Sequence, residues 1–528
     1  MKKILYILSA LTIGALALNS CSEEMLETAP TSSVDGNVVK TAEGSMIALN
    51  GIYRSMYTAG WSTTGNTHQC FGISAYNLMA DVMGDDMVMA AAGSGWFWYD
   101  AIYGVKSRYT SGAWRSYDLW NAYYTWISNA NFIIANEADM ADDDFDMMYC
   151  VGQAYAIRAY SYFMLAQSFA RTYKGHETEP CVPVYTEPTT TATEGKPRST
   201  VQEVYTQITA DIAKAVTLLT AATPKTTLPE DKSMMTLPVA LGVQARIALT
   251  MEDWATAKAA AEAVIDPANN FGYTILEVNP GNFKIDNPNF INSVSSANVM
   301  WGAGIIGDQV GMYASLYTQM SSTAPYGKRA RKLINAQLYL SMDPTDSRRC
   351  WWDATDPDYP LQQHKFDFSN FSTWMGDYVW MRVEEMYLTA AEAECMLTND
   401  VKAQTLLTAL MSTRVPGYTC TKTGTAMSAL TNGPATGSLR EEIINQRRIE
   451  LWGEYGRIYD IRRLKQGFQR TSAQGFPSAA QLLDKNNACR SLDPESYMWV
   501  LTIPQAEFDG NKSLDPKTDQ NPVGDTAE

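Results

Sequence analysis

The acidic residues are the first place to look for chemistry. Two carboxylates brought to a fixed separation are what glycoside hydrolysis requires. Glu384 and Glu385 are adjacent in sequence. A helix directs neighbouring residues about 100° apart, so these two cannot act as one pair. Arg382 and Glu385 have the i, i+3 spacing that lets opposite charges meet on one helical face. Arg447, Glu450, Glu454 and Arg457 continue the same ladder. Sets of this kind predict ion pairs between scaffold helices before they predict catalysis. The three histidines, His68, His176 and His364, are far apart, and no two have the i, i+4 spacing of a zinc-hydrolase helix. There is no G-x-S-x-G and no P-loop. Asp353, Asp356 and Asp358 form an oxygen-rich cluster after Trp351-Trp352. It lacks the glycine and distal glutamate of an EF-hand loop, so the expectation is no cofactor, with calcium here as the alternative.

Aromatic side chains offer a different chemistry. Six of the 14 tryptophans, Trp61, Trp96, Trp98, Trp114, Trp120 and Trp126, fall in one early segment. Trp120 and Trp126 lie in a helical pattern, where core packing is the default. Trp96-Phe97-Trp98-Tyr99 follows Gly93-Ser94-Gly95 in a stretch without helical period. As a strand it would direct Trp96 and Trp98 to one face and Phe97 and Tyr99 to the other. Sugar rings present apolar C–H faces that stack on flat aromatic surfaces, while polar neighbours satisfy their hydroxyls. Trp96, Trp98 and Tyr99 are therefore candidate ligand contacts, with core packing as the competing reading.

The elements that must position these residues are mostly helical. Apolar periodicity predicts helices over 38–57, 118–138, 146–172 and 238–250. Thr200 with Glu203 is a capping box that opens a further helix, and Asp253 caps the one after 250. Residues 270–375 are loop-rich, with a strand-like run at 298–306. Helical pattern returns at 379–397 and 401–413. Ser438 with Glu441 caps a last long helix to about Lys465, and a strand-like run follows at 500–503. Several helices form short-turned pairs of about 30 residues with small residues at the contacts, as in tetratricopeptide hairpins. A generic helical bundle fits the periodicity equally well.

The chain has 528 residues and a formal charge of −16. Such acidity disfavours a general nucleic-acid function. A hydrophobic content of 46% supplies a real core. Lys2 and Lys3 precede an apolar run from Ile4 to Leu18, too short for a span and typical of a secretory signal. The run ends Leu18-Asn19-Ser20-Cys21, which resembles a bacterial lipobox with acylation of Cys21. A lipid would hold the mature chain on a membrane without a span. Ser22-Glu23-Glu24 resembles the acidic tag of surface lipoproteins in the Bacteroidetes. Eight cysteines at wide spacing, with no CxxC, suggest neither a zinc site nor a disulfide scaffold.

At the C-terminal helices the sequence becomes specific. The segment 382–393 resembles the R-x-x-E-x-x-L-x-x-A-E-A helix of the SusD/RagB family. Arg447-Arg448-Ile449-Glu450-Leu451 with Glu454, Arg457, Asp460 and Arg463 is similar to its E-R-R-x-E-L-x-x-E-G-x-R-x-x-D-L-x-R segment. Arg158-Ala159-Tyr160, Tyr162-Phe163 and Leu165, then Pro183, resemble an upstream motif, and Trp120 to Asn131 its first paired helix. Ile503-Pro504, Glu507 and Gln520-Asn521-Pro522 resemble the family's tail, and Asp343-Pro344 with Asp346 and Arg348 its structural D-P-R turn. Gln446, Tyr455 and Asn511-Lys512 depart from the pattern at scaffold positions.

The resemblance implies a mainly α fold of tetratricopeptide-like hairpins with an irregular, loop-rich lobe. It divides the chain into a signal peptide (1–20), a lipidated tether (21–37), helical repeats with an aromatic loop insertion at 58–117 (38–269), the lobe (270–376) and a C-terminal repeat with a tail (377–528). It implies a non-catalytic outer-membrane lipoprotein, exposed at the cell surface, that captures oligosaccharide for a SusC-like TonB-dependent channel. A same-fold peptide binder and a surface glycoside hydrolase are the alternatives. The family's ligand aromatics come from the early loop and from the lobe, which adds Trp301, Tyr313, Tyr317 and Tyr326 to the candidates. Trp301 lies in the strand-like run, where core packing competes.

Overall fold

The structure is a computed structural model, and it describes residues 38–61, 67–90, 96–104, 112–279 and 291–522. The signal sequence and the acylation candidate Cys21 lie outside the described residues. Helix α1 (Ala42–Ser55) is capped by Thr41, and α2 (Ile73–Met83) leads into strand β1 (Met87–Met89). A single turn, α3 (Trp98–Ala101), precedes the long pair α4 (Trp114–Ile134) and α5 (Phe145–Phe169). Next come α6 (Val201–Ala222), α7 (Leu237–Met251) and α8 (Trp254–Ile265). The capping box of α6 forms in full: the Glu203 amide donates to Thr200 Oγ1 at 3.2 Å, and the Thr200 amide donates to Glu203 Oε2 at 2.7 Å.

The repeat character lies in how these helices pack. Each of α4 to α8 packs on the next in the series. Small residues make this approach possible. A Cβ on Gly152 of α5 would come within 2.9 Å of the Leu219 side chain of α6.

Between α8 and the next repeat helix the chain builds the lobe from short pieces: β2 (Val299–Ala303), α9 (Leu316–Met320), α10 (Pro325–Arg329), β3 (Lys332–Ile334), α11 (Ala336–Ser341), β4 (Trp352–Asp353) and β5 (Gln362–Gln363). Strands β1, β3, β5 and β4 form one antiparallel sheet in that order, so the early segment supplies an edge strand to the lobe. The strand-like run before Ile306 is β2, and it pairs antiparallel with β6 (Tyr378–Arg382).

That ribbon corrects one expectation. The helix read from 379 begins only at Val383, as α12 (Val383–Met396). Every residue of β6 is buried, so no alternation of polar and apolar residues distinguishes it from a buried helix. Similarly, α2 lies inside the segment read as a loop; all eleven of its residues are buried, which erases the helical period. Helix α13 (Asp400–Met411) follows as expected. The long helix from Ser438 is broken into α14 (Leu439–Glu450) and α15 (Arg457–Arg463). Gly456, at φ +113°, makes the break; a Cβ there would sit 2.6 Å from that of Ala80. Ser438 caps α14, but Glu441 Oε2 accepts from the amides of Thr436 and Gly437 rather than closing a box. The run 500–503 forms no strand. The Leu501 amide donates to Ser168 O, and the Ile503 amide to the side chain of Gln520. Helix α16 (Gln505–Gly510) ends the described fold. Among the described residues no helix is long and apolar enough to cross a membrane.

Candidate functional site

The carboxylates that raised the question of catalysis are joints of the scaffold. Arg382 contacts Glu384 at 3.1 Å, Glu450 at 3.1 Å and Glu454 at 2.6 Å, all nearly or wholly out of solvent. Arg414 and Arg348 converge on the same Glu450, at 2.9 and 3.2 Å. Burial pushes the Glu450 carboxyl up, but Arg414, Arg382 and Arg348 hold it well below the usual range. Burial and the neighbouring Glu450 charge leave Glu384 raised despite Arg382. The expected Arg382–Glu385 pair does not form. Strand β6 ends at Arg382, so the two are not on one helix, and Glu385 pairs with Arg246 of α7 at 2.7 Å and Arg447 of α14 at 3.4 Å. Asp460 bridges Arg447 and Arg463 at 2.8 and 2.7 Å, and Arg463 reaches Glu392 at 2.8 Å. These buried pairs fasten α7, α12, α14 and α15 to one another and leave each carboxylate engaged with a cation.

The aspartates after Trp352 close the turn that follows β4. Asp353 Oδ1 accepts from the amide and hydroxyl of Thr355, and Asp356 Oδ1 from the amides of Asp358 and Tyr359. Among the described residues no group of three or more His, Cys, Asp or Glu side chains is placed to hold a metal ion.

The accessible aromatic surface lies elsewhere, where the early loops meet the lobe. Trp96 stacks on Tyr326 with centroids 3.6 Å apart and planes 16° from parallel. The His68 ring lies nearly parallel to Trp96 at 6.2 Å and to Tyr313 at 5.4 Å. Tyr326 Oη is hydrogen bonded to His68 Nδ1 at 2.5 Å. Burial first, then Tyr313, raises the phenol pKa of Tyr326, so it stays neutral. Trp374 extends the set, 6.4 Å from Tyr313, and Phe371 stacks on Trp374 at 5.5 Å. Tyr313 is 45% exposed and Phe371 39%; His68, Trp96, Tyr326 and Trp374 are half-buried. The result is a partly exposed row of flat rings, suited to stacking against an apolar ring face.

Backbone conformation sets this display. Trp96, Phe97 and Trp374 have φ of +42°, +72° and +59°. A bulky residue there costs about 1–3 kcal/mol, and such strain clusters at binding sites. It also overturns the strand geometry expected for 96–99. Trp96 turns outward, while Phe97 and Trp98 turn into the core and Trp98 opens α3.

The sequence candidates therefore separate. Trp96, Tyr313 and Tyr326 come together in the ring row. Tyr99 is exposed on α3, and among the described residues no ring contact joins it to the row. Three candidates lie in the core instead of on an open surface. Trp98 is 3% exposed. Trp301 is fully buried in β2 against Tyr160 and Trp380, its indole N–H donating to Ser233 O. Tyr317 is buried in α9, with its hydroxyl on the carbonyls of Asp377 and Ile291. His68, Phe371 and Trp374 were not singled out. For the latter two the signal was a pair of aromatics in a polar, non-periodic stretch before a strand.

A separate cavity of about 520 Å³ lies between α4, the loop at 185–195 and α16. Its main polar groups pair with one another. The Trp120 indole and the Asn511 amide donate to the two oxygens of Glu507, Tyr124 Oη donates to Pro183 O, and Ser128 meets Thr189. These pairs dock α16 and the loop on α4, and the ring row remains the better candidate.

Two family models match the chain. One, described as starch-binding and associating with the outer membrane, covers residues 73–249, and the SusD family model covers 312–523. The chain belongs to the SusD/RagB family. Solved structures agree on the fold. A SusD-like carbohydrate binding protein from Bacteroides vulgatus is 24% identical with a TM-score of 0.73, over 92% of this chain and 99% of its own. A SusD superfamily protein from Bacteroides thetaiotaomicron is 20% identical with a TM-score of 0.67, over 91% of this chain and 100% of its own. Surface glycan-binding protein A from Bacteroides fluxus is 15% identical with a TM-score of 0.63, over 92% of this chain and 99% of its own. At these identities the likeness is one of fold. No curated protein sequence matches the chain. In this SusD-like fold the ring row is built jointly by the early loops and the lobe, and the ion pairs belong to the repeat helices.

Proposed function

We propose that the chain is a non-catalytic surface lipoprotein that captures oligosaccharide on the ring row and passes it to a TonB-dependent outer-membrane transporter. The observation that carries the reading is the partly exposed row Trp96, His68, Tyr326, Tyr313 and Trp374, five flat rings drawn from four separate segments. Stacking against sugar C–H faces needs such rings and no reactive group. The buried carboxylates that could attempt glycoside chemistry are engaged by arginines. The relatives named as carbohydrate- or glycan-binding share the fold, which adds support.

The test is isothermal titration of the soluble chain from Ser22 with neutral and acidic hexasaccharides, including maltohexaose, cellohexaose, xylohexaose and mannohexaose, beside a peptide panel. Saturable binding to a glycan without release of reducing ends is the expected result. Binding confined to peptides would transfer the site to the peptide-binding reading; no binding to either class, or sustained turnover, would sink the proposal. Delivery and anchoring have their own tests. Cys21→Ala should abolish palmitate incorporation and release the protein from membranes. Native purification in mild detergent should recover a TonB-dependent barrel with it, and repeated recovery of the protein alone counts against that partnership.

A further inference from the structure

The rings of the row sit on segments that no shared helix or sheet aligns. His68 lies in the short turn before α2, Trp96 just before α3, and Tyr313 and Tyr326 on either side of α9. Yet Trp96, His68 and Tyr326 are within 31° of parallel to one another. Something beneath the rings must fix them, because a stacked array is lost when its members swing independently.

The polar contacts under the row supply that fixation. Gln69, next to His68, accepts the Phe97 amide on its side-chain oxygen at 2.6 Å, which ties the His68 turn to the residue after Trp96. The Gln69 carbonyl accepts from Arg115 Nη1 at 2.7 Å. Arg115 is fully buried in the first turn of α4, and its Nε and Nη2 donate to the two oxygens of buried Asp100 in α3, at 3.2 and 2.9 Å. The guanidinium also lies 4.9 Å from the Phe97 ring centroid. Arg115 thus grips both early loops from one rigid helix. From the lobe side, Gln319 of α9 donates to the His68 carbonyl at 2.8 Å. A bidentate arginine is suited to this task, since its planar fork fixes direction as well as distance.

We propose that Gln69 and Arg115 are positioning residues for the ring row, holding His68 and Trp96 in stacking register with Tyr326. The inference rests on the reading that this row binds ligand. The side-chain bridge from Gln69 to the Phe97 amide offsets the left-handed backbone at Trp96 and Phe97, and Arg115 carries that constraint back to α4 and α3. Neither residue need touch the sugar.

Gln69→Met keeps the volume and removes the acceptor; Gln69→Glu keeps an oxygen for the Phe97 amide. Both are compared with Trp96→Ala and with Gln69→Met in the Trp96→Ala background. The readouts are titration with maltohexaose, cellohexaose, xylohexaose and mannohexaose, and hydrogen exchange of peptides covering 67–73 and 96–104. Gln69→Met should weaken binding by about three- to tenfold and speed exchange in both peptides, with Gln69→Glu restoring most of each. It should add little in the Trp96→Ala background, because it acts through that ring. Fully additive losses would mark a merely structural role and overturn the proposal, as would unchanged exchange. If Trp96→Ala binds at wild-type strength, the binding site lies elsewhere and the proposal falls with it. If Trp96→Ala is weak while Gln69→Met binds normally, the site stands and the clamp alone is refuted.

Discussion

Truncating Trp96 and truncating Trp98 should have opposite signatures, although the residues are two apart. Trp96 is half-buried, with one face on Tyr326 at 3.6 Å. Trp96→Ala removes a stacking surface worth about 1–2 kcal/mol to a ligand, or roughly five- to thirtyfold in Kd. The ring is half-buried rather than enclosed in the core, so its cost to stability is expected at about 1 kcal/mol, the size of the lost ring pair. Trp98 is 3% exposed and packs in the core, so Trp98→Ala leaves a hole costing about 3–5 kcal/mol. Backbone strain adds an internal control. Alanine at φ +42° retains the left-handed penalty, whereas glycine does not. Trp96→Gly should therefore lose the same affinity as Trp96→Ala while being about 1 kcal/mol more stable. Titration calorimetry with the hexasaccharides and urea unfolding of each variant measure both quantities. Lost affinity at unchanged stability in Trp98→Ala, together with wild-type binding by Trp96→Ala, would refute the placement of the site on this face of the loop.

Three further outcomes follow from the buried charges. Glu450→Gln leaves Arg382, Arg414 and Arg348 facing a neutral amide and should cost about 3–5 kcal/mol by urea unfolding; a loss under about 1 kcal/mol would show that the network is not load-sharing. Glu385, Glu392, Glu450 and Asp460 are all held below their ordinary values of 4.5 and 3.8, burial being outweighed by arginines. Their stabilisation is complete above about pH 4.5 and is lost as pH falls toward the depressed values, with raised Glu384 opposing it in part. The urea midpoint should therefore drop from pH 5 to pH 3, and an unchanged midpoint would contradict the pairing. Burial pushes Lys332 from 10.5 down to about 7, so the fold pays for its neutralisation at pH 7 and no longer above about 10.5. The stability of Lys332→Met relative to wild type should accordingly decline as pH rises from 7 to 10; a flat difference would place a charged, paired lysine there.

Helices α1, α6 and α13 were legible because one face of each meets solvent, and burial on one side is what writes a 3.6-residue period into sequence; α5, almost wholly buried, was legible by its length instead. The capping signals at Thr200 and Asp253 were legible for the same reason, since a helix end exposes a defined set of amides that particular side chains satisfy. Where an element is buried on all sides the period disappears, and α2 and β6 were missed on that account. The break after α14 turned on Gly453 and Gly456, whose left-handed conformations answer to the approach of Phe366 and Ala80, contacts distant in sequence.

The ring row shows the same limit at the level of function. Composition pointed to aromatics, and Trp96 of the loop at 96–99 does join the ring row, but an alternating strand was the wrong geometry for it. Two successive positive φ values reverse which rings face out, so Trp96 emerges while Trp98 enters the core. That reversal depends on the Phe97 amide finding Gln69, and on Arg115 finding both Gln69 and Asp100. Each of these partners is an unremarkable polar residue in sequence. A ring row built from loops is thus specified twice: by the rings themselves, which composition reveals, and by buried donors and acceptors that aim them. The second set becomes visible only when segments 67–69, 96–101 and 115 are brought together in space.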